Sequence, residues 1–268
     1  MQYLYRMNTV GSTQFFSFEQ SQIAYRVFGN GPTALLAFHG FGQNGAVFEP
    51  LAATRFTVYA IDLYYHGSTF VGNDLLTKSD WQRFIDAFLQ AHRIDRFSLI
   101  GFSLGGRFAL TLVEAFAGQL DQLLLIAPDG ITRSFWYELA TSTAAGRALF
   151  RYVLRHLPLL SYFGHRLVRL GLLNRTVMRF AEISLATPEQ RTLVYQTWTQ
   201  FRHIRPDLEI VSTQLIANPV RVRFFTGEFD RIVPGNYILP LTKRLRHYEV
   251  TVLKTGHNRL IELVAEKV

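Results

Sequence analysis

Short apolar runs separated by turn residues recur along the chain, and few of them alternate between apolar and polar positions. TALLAF (33–38), FTVYAI (56–61), FSLIG (97–101), LLLIA (123–127) and VRVRFF (220–225) read as strands, most of them apolar on both faces. That pattern suits a parallel sheet with helices on either side, because neither face of such a strand meets water. Periodic stretches between the runs predict helices over roughly 44–53, 79–92, 104–117 and 236–246. QFFSF (14–18) and IAYRVF (23–28) read as an opening antiparallel pair, and YEVTVL (248–253) as a closing strand. The alternation predicts an α/β fold with a mostly parallel central sheet flanked by helices.

One region departs from this rhythm. Between Pro128 and Pro219 no stretch reads as a strand, while several read as helices. The chain therefore divides into a core of 1–128 and 219–268 and an inserted helical cap of 129–218. Trp136, Tyr137, Phe163 and Trp198 read as the core of that cap. From Leu139 to Ala181 there is no Asp or Glu, but there are seven arginines: Arg147, Arg151, Arg155, Arg166, Arg169, Arg175 and Arg179. The first three recur every four residues and share one helix face, with Leu149, Phe150, Val153, Leu154 and Leu157 on the other.

Composition narrows the chemistry. The absence of cysteine excludes disulfides, thiolate zinc sites and a cysteine nucleophile. The opening MQYLYRMNTV lacks a basic start followed by an apolar run, and no stretch has the length and apolarity of a membrane span. A cytoplasmic protein without transmembrane segments is the expectation. The formal net charge of +8 suits an anionic substrate, an acidic carrier protein or peripheral contact with an anionic membrane. Nucleic acid is not expected, since the basic residues interleave with apolar ones and no recognition module is visible.

The chemistry-bearing stretch is GFSLGG (101–106), at a predicted strand-to-helix junction. A tight turn there forces its central residue into a strained backbone, and glycines two positions either side make room. Ser103 would then stand at the sheet edge beside the positive end of a helix. A serine nucleophile needs a base, and the base an orienting acid. His257, in KTGHN after the last strand, is the candidate base; His247, in RLRHY, reads as solvated. Asp230, in TGEFDRIVP after VRVRFF, is the candidate acid, with Asp129 in IAPDG competing. The loop AFHGFGQNG (37–45) brings backbone N–H groups near the same edge, so the amides of Phe41 and Leu104 are the candidate oxyanion hole. Phe41 and Phe102 are candidates for an apolar substrate wall.

Together HGFG, GFSLGG, GEFDRIVP and TGH resemble the capped α/β-hydrolase family over essentially the full chain. The resemblance implies the order Ser103, Asp230, His257 as a catalytic triad, with no cofactor and no metal. The family's D-x-P-G-H-G-x-S segment appears as DLYYHGST (62–69): Asp62, His66 and Gly67 match, while Tyr64 and Tyr65 replace Pro-Gly and would add two rings near the site entrance. HGFGQN and GFSLGG are similar to the esterases that act on acyl-carrier-protein esters in biotin synthesis. The elbow's Gly105, Gly106 and Arg107 are similar to the menaquinone-pathway synthase that eliminates pyruvate. Arg107 itself reads as an exposed helix residue.

Ester or thioester hydrolysis through an acyl-enzyme on Ser103 is the leading expectation. The alternatives are a carbon–carbon lyase or elimination enzyme acting on an anionic substrate, and a non-catalytic receptor of the same fold. A different class enters through Gly40, Gly42 and Gly45, which spell G-x-G-x-x-G after a strand, with Asp62 at the end of the next. That imitates a dinucleotide-binding loop, but it leaves Ser103, Asp230 and His257 unexplained.

Overall fold

A computed structural model of the chain describes residues 11–72, 76–132, 135–171 and 174–268, and within these not the side chains of 136, 157–161 and 163. The opening MQYLYRMNTV, Leu157, and the Trp136 and Phe163 expected in the cap core lie, in whole or as side chains, outside the described residues.

Eight strands form one sheet: β1 (Gln14–Phe18), β2 (Ser21–Phe28), β3 (Thr33–Phe38), β4 (Phe56–Ile61), β5 (Phe97–Phe102), β6 (Leu120–Ile126), β7 (Arg221–Gly227) and β8 (Glu249–Leu253). Their order is β1-β2-β4-β3-β5-β6-β7-β8. The β1–β2 and β2–β4 pairings are antiparallel and all the others parallel. Burial follows position in the sheet. Every residue of central β5 is buried, whereas β1 alternates and the outermost β8 is mostly exposed.

Helix α1 (Lys78–Ala91) starts at a capping box, in which Thr77 and Asp80 satisfy each other's backbone N–H. It buries Trp81, Phe84, Ile85, Phe88 and Leu89 at helical spacing. Helix α2 (Leu104–Phe116) follows β5 and is buried on almost every face. Two helices expected from periodicity are shorter or tighter than predicted. Residues Gly45–Ala53 form a 3₁₀ segment containing Pro50, and 236–246 resolves into a 3₁₀ turn (Gly235–Ile238) and a brief α-helix (Leu239–Thr242). In each case a proline, Pro50 or Pro240, has no N–H to return to the carbonyl four residues back.

Between β6 and β7 come α3 (Phe135–Thr141), α4 (Ala144–Arg155), α5 (Leu157–Arg169), α6 (Arg175–Ser184), α7 (Pro188–Gln200) and α8 (Leu208–Ala217). Val211 and Leu215 of α8, together with Phe201 and Ile204, join the cluster formed by α1, α2 and one face of the sheet. The last helix of the insertion is thus packed on the core. Tyr137, Phe150 and Trp198 pack together with ring centroids 5.2 and 5.3 Å apart. Of the apolar face expected on α4, Leu154 is buried, whereas Leu149 is 61% exposed. Among the described residues no helix is long and apolar enough to cross a membrane.

Candidate active site

Because β3, β5, β6, β7 and β8 run parallel, the loops after their C-terminal ends gather along one sheet edge. They carry His39–Phe41, Ser103, Asp129, Asp230 and His257.

Ser103 adopts φ 51°, ψ −117°, a backbone region that non-glycine residues avoid. Such a conformation costs on the order of 1–3 kcal/mol and persists only when its surroundings over-determine it. Here they do: the Ser103 N–H donates to the Ile126 carbonyl at 2.9 Å, and its own carbonyl accepts from Gly106 (2.9 Å) and Asp129 (2.8 Å). The elbow glycines are required by contact. A Cβ on Gly105 would lie 1.9 Å from the Phe38 carbonyl, and one on Gly101 would lie 2.6 Å from the Gly105 carbonyl. Ser103 remains partly exposed between buried Phe102 and Leu104.

The Nδ1–H of His257 donates to Asp230 Oδ2 at 2.6 Å. The other oxygen of Asp230 accepts the N–H groups of Ile232 (2.9 Å) and Val233 (3.0 Å), and the carboxylate is wholly buried. Backbone bonds tie the two loops together: Glu228 to the Leu253 carbonyl at 2.8 Å and Phe229 to the Thr255 carbonyl at 3.0 Å. With Nδ1 holding the proton, Nε2 of His257 is left as the basic nitrogen. Phe102, expected to line the substrate, is only 2% exposed. Its ring lies 4.8 Å from the His257 imidazole and beneath Gly40, so it supports the imidazole rather than offering an open wall.

The competing acid is otherwise engaged. Asp129 Oδ2 accepts from Arg107 Nη2 at 2.6 Å. Arg107, expected on the surface, is 9% exposed; it also donates to the Tyr137 hydroxyl (2.9 Å) and the Phe201 carbonyl (3.4 Å). Burial works against the guanidinium's charge, but Asp129 and Tyr137 outweigh it and raise the pKa above the usual arginine value.

The loop after β3 is held by His39, whose importance local sequence pattern alone does not reveal. Its Nδ1–H donates to the Gly40 carbonyl at 2.7 Å, and its Nε2 accepts from the Leu63 N–H at 2.9 Å. Burial, reinforced by repulsion from His66, lowers its pKa to about 3, so it stays neutral. Gly40 N–H is taken by Gln43 Oε1 at 3.0 Å, whereas neither the Phe41 nor the Leu104 N–H has an acceptor among the described residues. Phe41 is partly exposed and packs edge-on against His66 at 5.7 Å.

The DLYYHGST segment is a scaffold. Asp62 is fully buried and accepts from Gly45 N–H (2.7 Å), Ser68 N–H (3.0 Å) and Arg26 (3.0 Å). A dinucleotide ribose would need that carboxylate free, so the G-x-G-x-x-G likeness stops at the glycines. Tyr64 is buried, which pushes its pKa up to about 12, so of the two expected entrance rings only Tyr65 is partly exposed. Tyr65 has φ 65°, the left-handed region where the family pattern places glycine. Among the described residues no three metal-ligating side chains gather.

Comparison with known proteins agrees with this architecture. The sequence profile described as the alpha/beta hydrolase fold matches residues 33–262. An uncharacterized protein of Mycobacterium tuberculosis is 31% identical over 123 residues, 45% of this chain and 36% of that one. A pimeloyl-[acyl-carrier protein] methyl ester esterase of Aeromonas hydrophila is 31% identical over 124 residues, 44% of this chain and 47% of that one. The chain thus spans between about a third and a half of these curated relatives. The crystal structure of a hydrolase from Pseudomonas aeruginosa superposes with a TM-score of 0.64 and 17% identity, covering 97% of this chain and 96% of that one, a likeness of fold.

Proposed function

The chain belongs to the α/β hydrolase fold family, and from that premise we propose that it is a cofactor-independent serine hydrolase of carboxylic esters or thioesters. The observation that carries this reading is the 2.6 Å bond from His257 to a fully buried Asp230, on the sheet edge where strained Ser103 stands.

In this mechanism Ser103 Oγ attacks the substrate carbonyl carbon while His257 Nε2 takes its proton. Asp230 keeps the imidazole in the right tautomer and stabilises the imidazolium. The Phe41 and Leu104 N–H groups, without an acceptor among the described residues, bind the oxyanion. Collapse of the intermediate breaks the bond to the alcohol or thiol, which leaves with the proton from His257. Water, deprotonated by the same nitrogen, then hydrolyses the acyl-enzyme and restores Ser103.

The 31% identical relative from Aeromonas hydrophila, an esterase by name, supports an ester as substrate. The elimination reading is weakened by Arg107. The residue that matches the pyruvate-eliminating pattern is already neutralised by Asp129 and is not a free cation for an anionic substrate.

The test is hydrolysis of p-nitrophenyl esters from acetate to laurate by wild type and Ser103→Ala. Turnover that vanishes in a folded alanine variant supports the mechanism, and the best chain length sizes the acyl site. Equal turnover by both proteins would sink it.

A further inference from the structure

Helices α5 and α6 pack against each other and leave a cleft of about 360 Å³ between them. Val168 and Met178 supply apolar walls, and Arg169, Arg175 and Arg179 stand around them. All three arginines are exposed, and none has a carboxylate partner among the described residues. The single carboxylate at the cleft, Glu182, is already paired with His165 at 3.0 Å. The sequence explains the imbalance, since no Asp or Glu occurs between Leu139 and Ala181.

Three guanidiniums against one carboxylate around a single cleft suit a tetrahedral oxyanion, which arginine binds through paired N–H groups. The surroundings narrow the source of that oxyanion. On α6, Arg175 and Arg179 lie four residues apart on one face, and Phe180 and Ile183 lie three apart on the adjoining one. Ile183 is 54% exposed, Leu170 just after α5 is 70% exposed, and Tyr162 of α5 is 55% exposed. Tyr162 carries Arg166 over its ring at 5.3 Å. Aliphatic and aromatic side chains interleaved with arginine are the composition of an interfacial surface: the apolar groups enter the acyl boundary while the cations meet lipid phosphates. A free phosphate would satisfy the arginines alone.

We infer that the α5–α6 cleft binds phosphate headgroups and that the helices around it dock the protein on an anionic phospholipid surface. The inference is independent of the serine hydrolase reading.

The experiment is co-sedimentation of the full chain with phosphatidylcholine vesicles, with and without phosphatidylglycerol. Binding is expected only with phosphatidylglycerol and is lost at high salt. Replacing Arg169, Arg175 and Arg179 together by alanine should lower partitioning roughly a hundredfold, at about fivefold per arginine. Leu170→Ser with Ile183→Ser should lower it too. Thermal melting checks that the variants fold; should the triple variant fail, Arg179→Ala and the wild-type salt titration carry the test. Equal binding to both vesicles overturns the inference, as does phosphatidylglycerol binding unaltered in the folded triple variant. Stabilisation by inorganic phosphate without vesicle binding would assign the cleft to a soluble anion. Capture by polyglutamate but not by vesicles would assign the surface to an acidic protein. Either result overturns membrane docking.

Discussion

Asp129 gives its carboxylate to Arg107 at 2.6 Å, and so leaves the imidazole of His257 to Asp230. Two aspartates follow adjacent strands of the same sheet, and each is matched to a different cation or base. Asp230→Asn should therefore cut ester turnover by about 10³ to 10⁴, because an amide favours the wrong imidazole tautomer. Asp129→Asn should change turnover by less than about tenfold, since its carboxylate does not reach the base. Steady-state kinetics on a short p-nitrophenyl ester compares the two directly, and the reverse ranking would exchange their roles.

Removing the charge of Asp129 should instead appear as instability. Arg107 would be left buried without its anion, a change that costs about 3–5 kcal/mol for fully buried pairs. Asp129 is about a third exposed, with 34% of its side chain open to solvent. The expected loss is therefore smaller, about 2 kcal/mol, because solvent screens the pair. Urea unfolding of Asp129→Asn measures it; a midpoint equal to wild type would mean that the pair contributes nothing.

Gly105→Ala should be far more damaging than an ordinary glycine-to-alanine change in a helix. Its new methyl would lie 1.9 Å from the Phe38 carbonyl, so β3 and α2 must separate. A loss of about 3 kcal/mol or more is expected, together with loss of turnover as Ser103 shifts. Soluble yield, melting temperature and kinetics read this; a fully active, stable variant would show that the elbow tolerates the shift.

Stability should depend on pH through His39. Its folded pKa, about 3, lies below the ordinary 6.5, so between those values the unfolded chain binds a proton that the folded chain refuses. The contribution is fully present above pH 6.5 and is lost as pH falls towards about 3. The slope is about 1.4 kcal/mol per pH unit for one group. Burial lowers the pKa of His66 as well, which adds in the same direction. His39→Gln should be less stable at neutral pH yet show a flatter decline on acidification. An unchanged slope in urea titrations from pH 7 to 5 would remove His39 from the account.

The glycine-rich loop makes a negative prediction. Asp62 is fully buried and bonded on both oxygens, so NADH should show no saturable fluorescence enhancement with the protein. Saturation would require the DLYYHGST segment to rearrange.

Sequence carries the parts of this site that depend on local constraints. A strand-turn-helix that must avoid a Cβ clash leaves glycines at Gly101 and Gly105, and an apolar run closed by GEFDRIVP marks where Asp230 emerges. Buried central strands also declare themselves, because they tolerate no polar face. What sequence does not carry is the partner of a side chain that meets a distant segment. Helix periodicity gives no sign that Arg107 is buried, since its anion and its Tyr137 partner arrive from the insertion. Phe102 looks like an apolar wall until the return of β8 places His257 against it. The proline-tightened helices fail for a simpler reason, because periodicity counts apolar positions and not missing N–H donors.

Phe201 belongs to the insertion by sequence and to the core by position. Its ring packs on Phe108 at 4.8 Å and on Tyr65 and His66 at 6.0 and 6.4 Å, and its carbonyl accepts from Arg107. An insertion rooted in this way cannot swing as one hinged plate, because doing so would draw a fully buried aromatic ring into water and strip a buried guanidinium of an acceptor. Any movement of the insertion is thus confined to bending about a fixed end, like an awning held along one side.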